Sequence, residues 1–269
     1  MKIWLDGQLV DRAEASLSVF DHGTLYGDGV FEGIRVYSGK IFECQAHMDR
    51  LFQSAEKIRL TIPYSREQII AAMESTMAAN KVKDGYIRLV VTRGAGTLGL
   101  NPYRCPKASV FVIADQLEMY PAEMYERGMP VIIAKTRRTN ATMLDPAVKS
   151  LNYLNNIMAR VEAVDAGVGE AIMLNDRGEV AEATGDNLFI VKNGTVLTPP
   201  VSAGILQGVT RRVTPCRMPA LTGGVSTVPF LTMNKLSPVA SATSPRSLSM
   251  IASPTPASTA STRAMMLLR

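Results

Sequence analysis

Apolar and polar positions change period several times along the first 212 residues. Stretches rich in β-branched residues predict strands over 2–5, 30–37 and 40–42. Met48, Leu51, Phe52, Ala55 and Ile58 then recur at helical spacing, which predicts a helix over 45–59. A second helix is expected over 66–79, with Ser65 as its cap and Glu67 in its first turn. Strands follow over 86–92 and 109–114. Beyond residue 128 the pattern starts again. It shows a strand over 130–135, a helix over 150–165 that stops at Gly167, and strands over 170–174 and 187–191 around a turn at Asn175–Gly178. Lys192-Asn193-Gly194 marks a hairpin leading to a strand over 195–197. A helix start at 207–212 should be broken by Pro215 and Pro219. This is an α+β / α/β chain in two lobes: 1–115, a linker over 116–128, and 129–212.

Composition changes the picture only after residue 212. Of the 57 residues 213–269, 24 are Ser, Thr or Pro, and the single aromatic is Phe230. Few of them could form a core and many break regular structure. All 24 acidic residues precede this segment, and its five Lys/Arg account for the net charge of +5. The remainder is neutral. No basic helix or aromatic-basic interleaving accompanies the excess, so the charge does not point to nucleic acid. No run approaches the ~18 apolar residues of a membrane span. The N-terminus, Met1-Lys2-Ile3-Trp4-Leu5-Asp6-Gly7, meets a charge too soon for a secretory signal, so none is expected. Cys44, Cys105 and Cys216 have no metal-ligand spacing and cannot all pair, so free thiols in a reducing, cytoplasmic compartment are expected.

Several side chains could carry chemistry. Lys149 follows Asp145-Pro146-Ala147-Val148 and is expected to open a helix, whose positive end would make it less basic and fit for Schiff-base formation. Position alone favours an ordinary solvated lysine. Arg50, three residues after His47 on a helix, could grip a phosphate or lie on the surface. Arg35 and Arg88 sit in apolar strands, on a solvated face or lining an anion site. Glu182 lies among small residues between two strands, open to a flat ligand or simply in a loop. The glycine-bounded segment 204–211 opens a helix and could cradle a phosphate on its amides. His22 and His47 lack further ligands at metal-binding spacing, so no metal is expected. No nucleophile elbow, Walker loop or dinucleotide-binding glycine triplet is present.

In order and spacing these segments resemble the fold-type IV pyridoxal 5′-phosphate (PLP)-dependent aminotransferases, and among them the branched-chain amino-acid aminotransferases. Four stretches carry the resemblance: Leu25-Tyr26-Gly27-Asp28-Gly29-Val30-Phe31-Glu32-Gly33-Ile34-Arg35, His47-Met48-Asp49-Arg50-Leu51, Val148-Lys149-Ser150-Leu151-Asn152-Tyr153 and Glu182-Ala183-Thr184-Gly185-Asp186-Asn187-Leu188-Phe189. The segment 204–212 adds a fifth, so the likeness spans nearly all of 1–212. It implies a two-lobe architecture like that of D-amino-acid aminotransferase. It implies that Lys149 is the catalytic lysine that forms the internal aldimine with PLP. Arg50, Val209 and Thr210 would hold the phosphate, Glu182 would face the pyridine nitrogen, and Tyr153 would bond the phenolic oxygen. Tyr26, Phe31, Gly33, Arg35, Tyr86 and Arg88 would bind substrate, with Arg88 taking the distal carboxylate of glutamate. Leu98-Gly99-Leu100-Asn101-Pro102 resembles a loop that completes the pocket of a second subunit, which implies at least a homodimer. The activity implied is ping-pong transamination between branched-chain L-amino acids and 2-oxoglutarate. D-amino-acid aminotransferases and aminodeoxychorismate lyases share the lysine, arginine and glutamate and stay open as alternatives, as does an inactive product.

The tail departs from this family, which continues with a helix, further strands and a Gly-Thr-Ala-Ala-Glu-Val-like turn. Residues 213–269 show none of these, so the second lobe is expected to be truncated or disrupted after about residue 212 by a frameshift. If residues 244–248 are encoded TCG CCG AGG TCG TTG, the frame starting at the third nucleotide reads Ala-Glu-Val-Val. The DNA sequence of codons 205–269 tests this; an in-frame gene would overturn it.

Overall fold

The alternating segments of the first half pair into one sheet in the computed structural model, which describes residues 1–116, 128–192, 195–217, 226–227, 248–249 and 263–267. Its elements are β1 (Lys2–Leu5), β2 (Gln8–Asp11), α1 (His22–Tyr26), β3 (Gly29–Tyr37), β4 (Lys40–Ile41), α2 (Cys44–Lys57), α3 (Arg66–Ala79), β5 (Gly85–Thr92) and β6 (Ser109–Asp115). The strands run in the order β2-β1-β6-β5-β3-β4, each antiparallel to its neighbours. One face carries Val30, Ile34, Val36, Ile87, Leu89, Val91, Val110 and Val112, all buried beneath Met48 and Leu51 of α2 and Ile69 and Met73 of α3. Ser65 caps α3 in a full capping box with Gln68. The expected helices and strands of this half lie within about two residues of the observed ones; β2 and α1, four and five residues long, were not among the expected elements.

The later elements are β7 (Pro130–Ile133), α4 (Leu154–Asp165), β8 (Glu170–Leu174), β9 (Val180–Ala183), β10 (Asn187–Lys192), β11 (Thr195–Thr198) and α5 (Val209–Arg217). Three short strands follow: β12 (Ser226–Thr227), β13 (Leu248–Ser249) and β14 (Arg263–Leu267). They form two four-stranded sheets, ordered β12-β11-β10-β14 and β13-β7-β8-β9. Helix α4 lays Ala159 and Ala163 against Ala134, Ala171 and Met173. By its contacts the chain divides into Met1–Glu118 with Val148–Asn152, and Met119–Ala147 with Tyr153–Arg269.

Three expectations need correction. The helix over 150–165 begins only at Leu154, with Tyr153 as its cap. Residues ahead of it are extended and spend their backbone groups on β3: Phe31 N donates to Lys149 O at 3.0 Å and Leu151 N to Gly29 O at 2.9 Å. Lys149 therefore does not stand in a helix N-terminus, and the dipole argument for it fails. Glu182 is not in a loop but in β9, which hairpins back onto β8 with Met173 opposite Glu182. Short, Ala-rich Val180–Ala183 gave no alternation to read. Finally, α5 passes through Pro215 to Arg217, because a proline removes one ladder bond from a helix without unwinding the turns before it. The linker over 117–127, the Asn193-Gly194 turn and most of the tail lie outside the described residues.

Candidate active site

In the first unit, cross-strand register gathers most of the expected substrate residues on one sheet face. Gly33 stands opposite Arg88 and Arg35 opposite Tyr86, so these four share the face with Phe31. Phe31 is buried, and two cations lie over its ring: Lys149 Nζ at 4.3 Å and the Arg88 guanidinium at 4.6 Å from the centroid. Arg88 also lies 5.3 Å from the Tyr86 ring. A Cβ on Gly33 would come within 1.8 Å of the Tyr86 hydroxyl, so glycine here lets the tyrosine cross the strand. Arg35 stacks instead on its neighbour Tyr37 at 5.3 Å. Tyr26, at the end of α1, donates its hydroxyl to Leu98 O, tying it to the exposed segment 98–100.

Lys149 is 1 % exposed. Its backbone N donates to Ser54 Oγ at 3.1 Å. A lysine this deeply buried is held for a reason other than solubility.

The opposite, apolar face of the same sheet holds a charged cluster that the sequence reading did not single out. Glu32 is 0 % exposed. Arg50 donates to it through Nε (2.8 Å to Oε1) and Nη2 (2.6 Å to Oε2), and His47 Nδ1 lies 2.7 Å from Oε2. Burial alone would raise the Glu32 pKa. The Arg50 hydrogen bonds and charge, the His47 contact and the charge of Lys149 outweigh it and hold the pKa at about 2, against an ordinary 4.5. A depressed carboxylate contributes stability that is full above its unfolded pKa and is lost as pH falls towards its folded one. We therefore expect Glu32 to contribute about 3 kcal/mol above pH 4.5, lost progressively between 4.5 and 2. Denaturant unfolding of the parent and Glu32→Gln across that range checks this; parallel pH profiles would refute it.

In the second unit, Glu182 is buried on β9. Its Oε2 accepts from Leu206 N at 3.1 Å, and its Oε1 lies 2.7 Å from Arg138 Nε. That contact is a charge contact more than an aligned hydrogen bond, since the Arg138 Nε–H has no directed partner. Arg138 Nη1 donates to Asn156 Oδ1 at 3.1 Å, and Asn156 Nδ2 to Thr184 O at 2.8 Å. Thr184 donates to the buried Glu170. Arg138 is thus a second residue the sequence reading missed, and no local pattern marks it. Val209 and Thr210 form the first turn of α5, just after Gly208, where a Cβ would meet Asn187 Oδ1 at 2.2 Å. Tyr153 caps α4 and is half-buried.

Among the described residues no group of three or more His, Cys, Asp or Glu is placed to hold a metal ion, and no helix is long and apolar enough to cross a membrane. Cys44 and Cys105 are free thiols.

The family model for amino-transferase class IV matches residues 29–223. The chain belongs to this class IV aminotransferase family. A provisionally named branched-chain-amino-acid aminotransferase of Methanocaldococcus jannaschii is 51% identical over 213 residues, which cover 79% of this chain and 73% of that protein. A D-alanine aminotransferase of Listeria monocytogenes is 37% identical over 216 residues, 79% of this chain and 73% of its own. Among solved structures, the branched-chain aminotransferase of Thermoproteus uzoniensis with norvaline superposes with a TM-score of 0.79 at 39% identity, covering 88% of this chain and 80% of that one. The branched-chain aminotransferase of Escherichia coli gives 0.77 at 29% identity, covering 86% and 77%. A further branched-chain aminotransferase, complexed with N-(5′-phosphopyridoxyl)-L-glutamate, gives 0.80 at 33% identity, covering 87% and 78%. Class IV membership agrees with the mixed α/β architecture.

Proposed function

We propose that this chain is a PLP-dependent branched-chain L-amino-acid:2-oxoglutarate aminotransferase with a ping-pong cycle. The observation that carries the reading is the fully buried amine of Lys149 over the Phe31 ring, which Arg88 also approaches, in a class IV chain whose 51%-identical relative bears the branched-chain name.

The chain's donor set fits the cofactor's chemistry. PLP needs an amine for its aldehyde, cationic and amide donors for its phosphate, and an anion for its ring nitrogen, and it supplies an electron sink that lets an amino acid lose its α-proton. Lys149 is the amine and the base that moves that proton. Arg50 supplies guanidinium donors, and the first turn of α5, at Val209 and Thr210, supplies amides and a hydroxyl for an anion. Glu182 supplies the anion, with Arg138 Nε 2.7 Å from its Oε1. Tyr153 has a phenol for the cofactor's own phenolic oxygen.

Phe31, Gly33, Tyr86 and Tyr26 offer an aliphatic side chain an apolar and aromatic surface, and Arg88 or Arg35 a cation for a second carboxylate. The face is therefore suited to leucine-like substrates and to glutamate in turn. Exposed Leu98 and Leu100 support a homodimer in which a second copy covers this segment. Free Cys44 and Cys105 suit a cytoplasmic setting. Initial rates with L-leucine and with D-alanine, each against 2-oxoglutarate, test the proposal. Faster turnover of L-leucine is expected; preference for D-alanine would overturn the branched-chain assignment in favour of the Listeria-like activity.

A further inference from the structure

A carboxylate on the core side of a sheet needs an explanation. Glu32 alternates with Val30 and Ile34, each 0 % exposed, and shares their face with Met48 and Leu51 of α2. An apolar residue of similar volume would pack there at no electrostatic cost, and buried ion pairs are often neutral or worse for stability than such a replacement. What an apolar residue could not do is hold Arg50. Glu32 takes the side-on edge of the guanidinium, Nε and Nη2, with both of its oxygens, and His47 braces Oε2 from one turn earlier on the same helix. This two-point fork fixes the plane of the guanidinium as well as its position.

We propose that Glu32 is a positioning residue that sets the Arg50 guanidinium for the phosphate of the cofactor. The inference rests on the reading of Arg50 as the phosphate-binding arginine. It predicts that losing the Glu32 charge weakens recognition of the phosphate and leaves recognition of the rest of the cofactor alone. Preorganisation of this kind lowers the ordering cost of binding, so its loss shows as weaker affinity.

The test compares PLP with pyridoxal, the same aldehyde without the phosphate. Dissociation constants for both are measured by absorbance titration on the full chain, its Arg50→Ala and Glu32→Gln variants and the double variant, with a melting midpoint for each. The ratio of the two constants, pyridoxal over PLP, isolates the phosphate contribution. Arg50→Ala should lower that ratio at least tenfold, and Glu32→Gln by about tenfold, the size of one charge-assisted hydrogen bond. Pyridoxal affinity should stay within about threefold, and the double variant should lose little beyond Arg50→Ala, as coupled partners do. If Arg50→Ala keeps the parent ratio, or the parent binds PLP no better than pyridoxal, the phosphate reading of Arg50 fails and takes the inference with it. If Arg50→Ala lowers the ratio but Glu32→Gln does not, or Glu32→Gln weakens both ligands equally as its melting midpoint falls, the role is structural and the inference alone is overturned. Should Glu32→Gln not fold, Glu32→Asp keeps the charge but is one methylene too short for the fork; it should still lower the ratio, and an unchanged ratio overturns the proposal.

Discussion

Lys149→Ala is expected to abolish transamination while leaving the protein folded. The residue is 1 % exposed, yet the local structure depends on its backbone: its carbonyl accepts from Phe31 N, and its own N donates to Ser54 Oγ. Both bonds survive in alanine. What disappears is the amine over the Phe31 ring, and with it the group that can bond an aldehyde and carry the α-proton. Turnover of L-leucine should fall below detection, the visible absorption change on adding PLP should vanish, and the circular dichroism of the parent should remain. Retained turnover would refute the assignment of Lys149. A parent chain that shows neither turnover nor the absorption change would instead favour the inert product that the aberrant tail suggests.

Glu182→Gln should lower the rate by several orders of magnitude while PLP still binds. Glutamine keeps an acceptor for Leu206 N but loses the charge that sits 2.7 Å from Arg138 Nε. The electron sink depends on a protonated ring nitrogen, and a neutral amide holds that proton far less well than a carboxylate. The substitution also leaves Arg138, partly buried beside it, without the Glu182 charge, so some loss of stability should accompany the loss of rate. Rapid-mixing measurement of the half-reaction with L-leucine, at saturating PLP and on protein shown to be folded, separates the two. An unchanged rate would mean that Glu182 does not serve the ring.

Much of this protein was legible in the order of its residues. Helices α2 and α3 follow from apolar residues at helical spacing and from Ser65, while β3 and β5 follow from β-branched alternation; these are local preferences that sequence encodes directly. The spaced motifs around Lys149, Arg50 and Glu182 identified a class IV aminotransferase before any geometry was known. Elements whose form depends on distant partners were not legible. Residues 148–152 look like the start of a helix, but their backbone groups find better partners on β3. Val180–Ala183 becomes a strand because β8 lies alongside it. Only the tertiary structure placed Arg138 against Glu182, 44 positions away in the chain, and brought Glu32, His47 and Arg50 into one buried cluster. Spacing within one helix or strand can show which side chains share a face; it cannot show which charge on another element will neutralise a buried one, because that pairing is decided by packing.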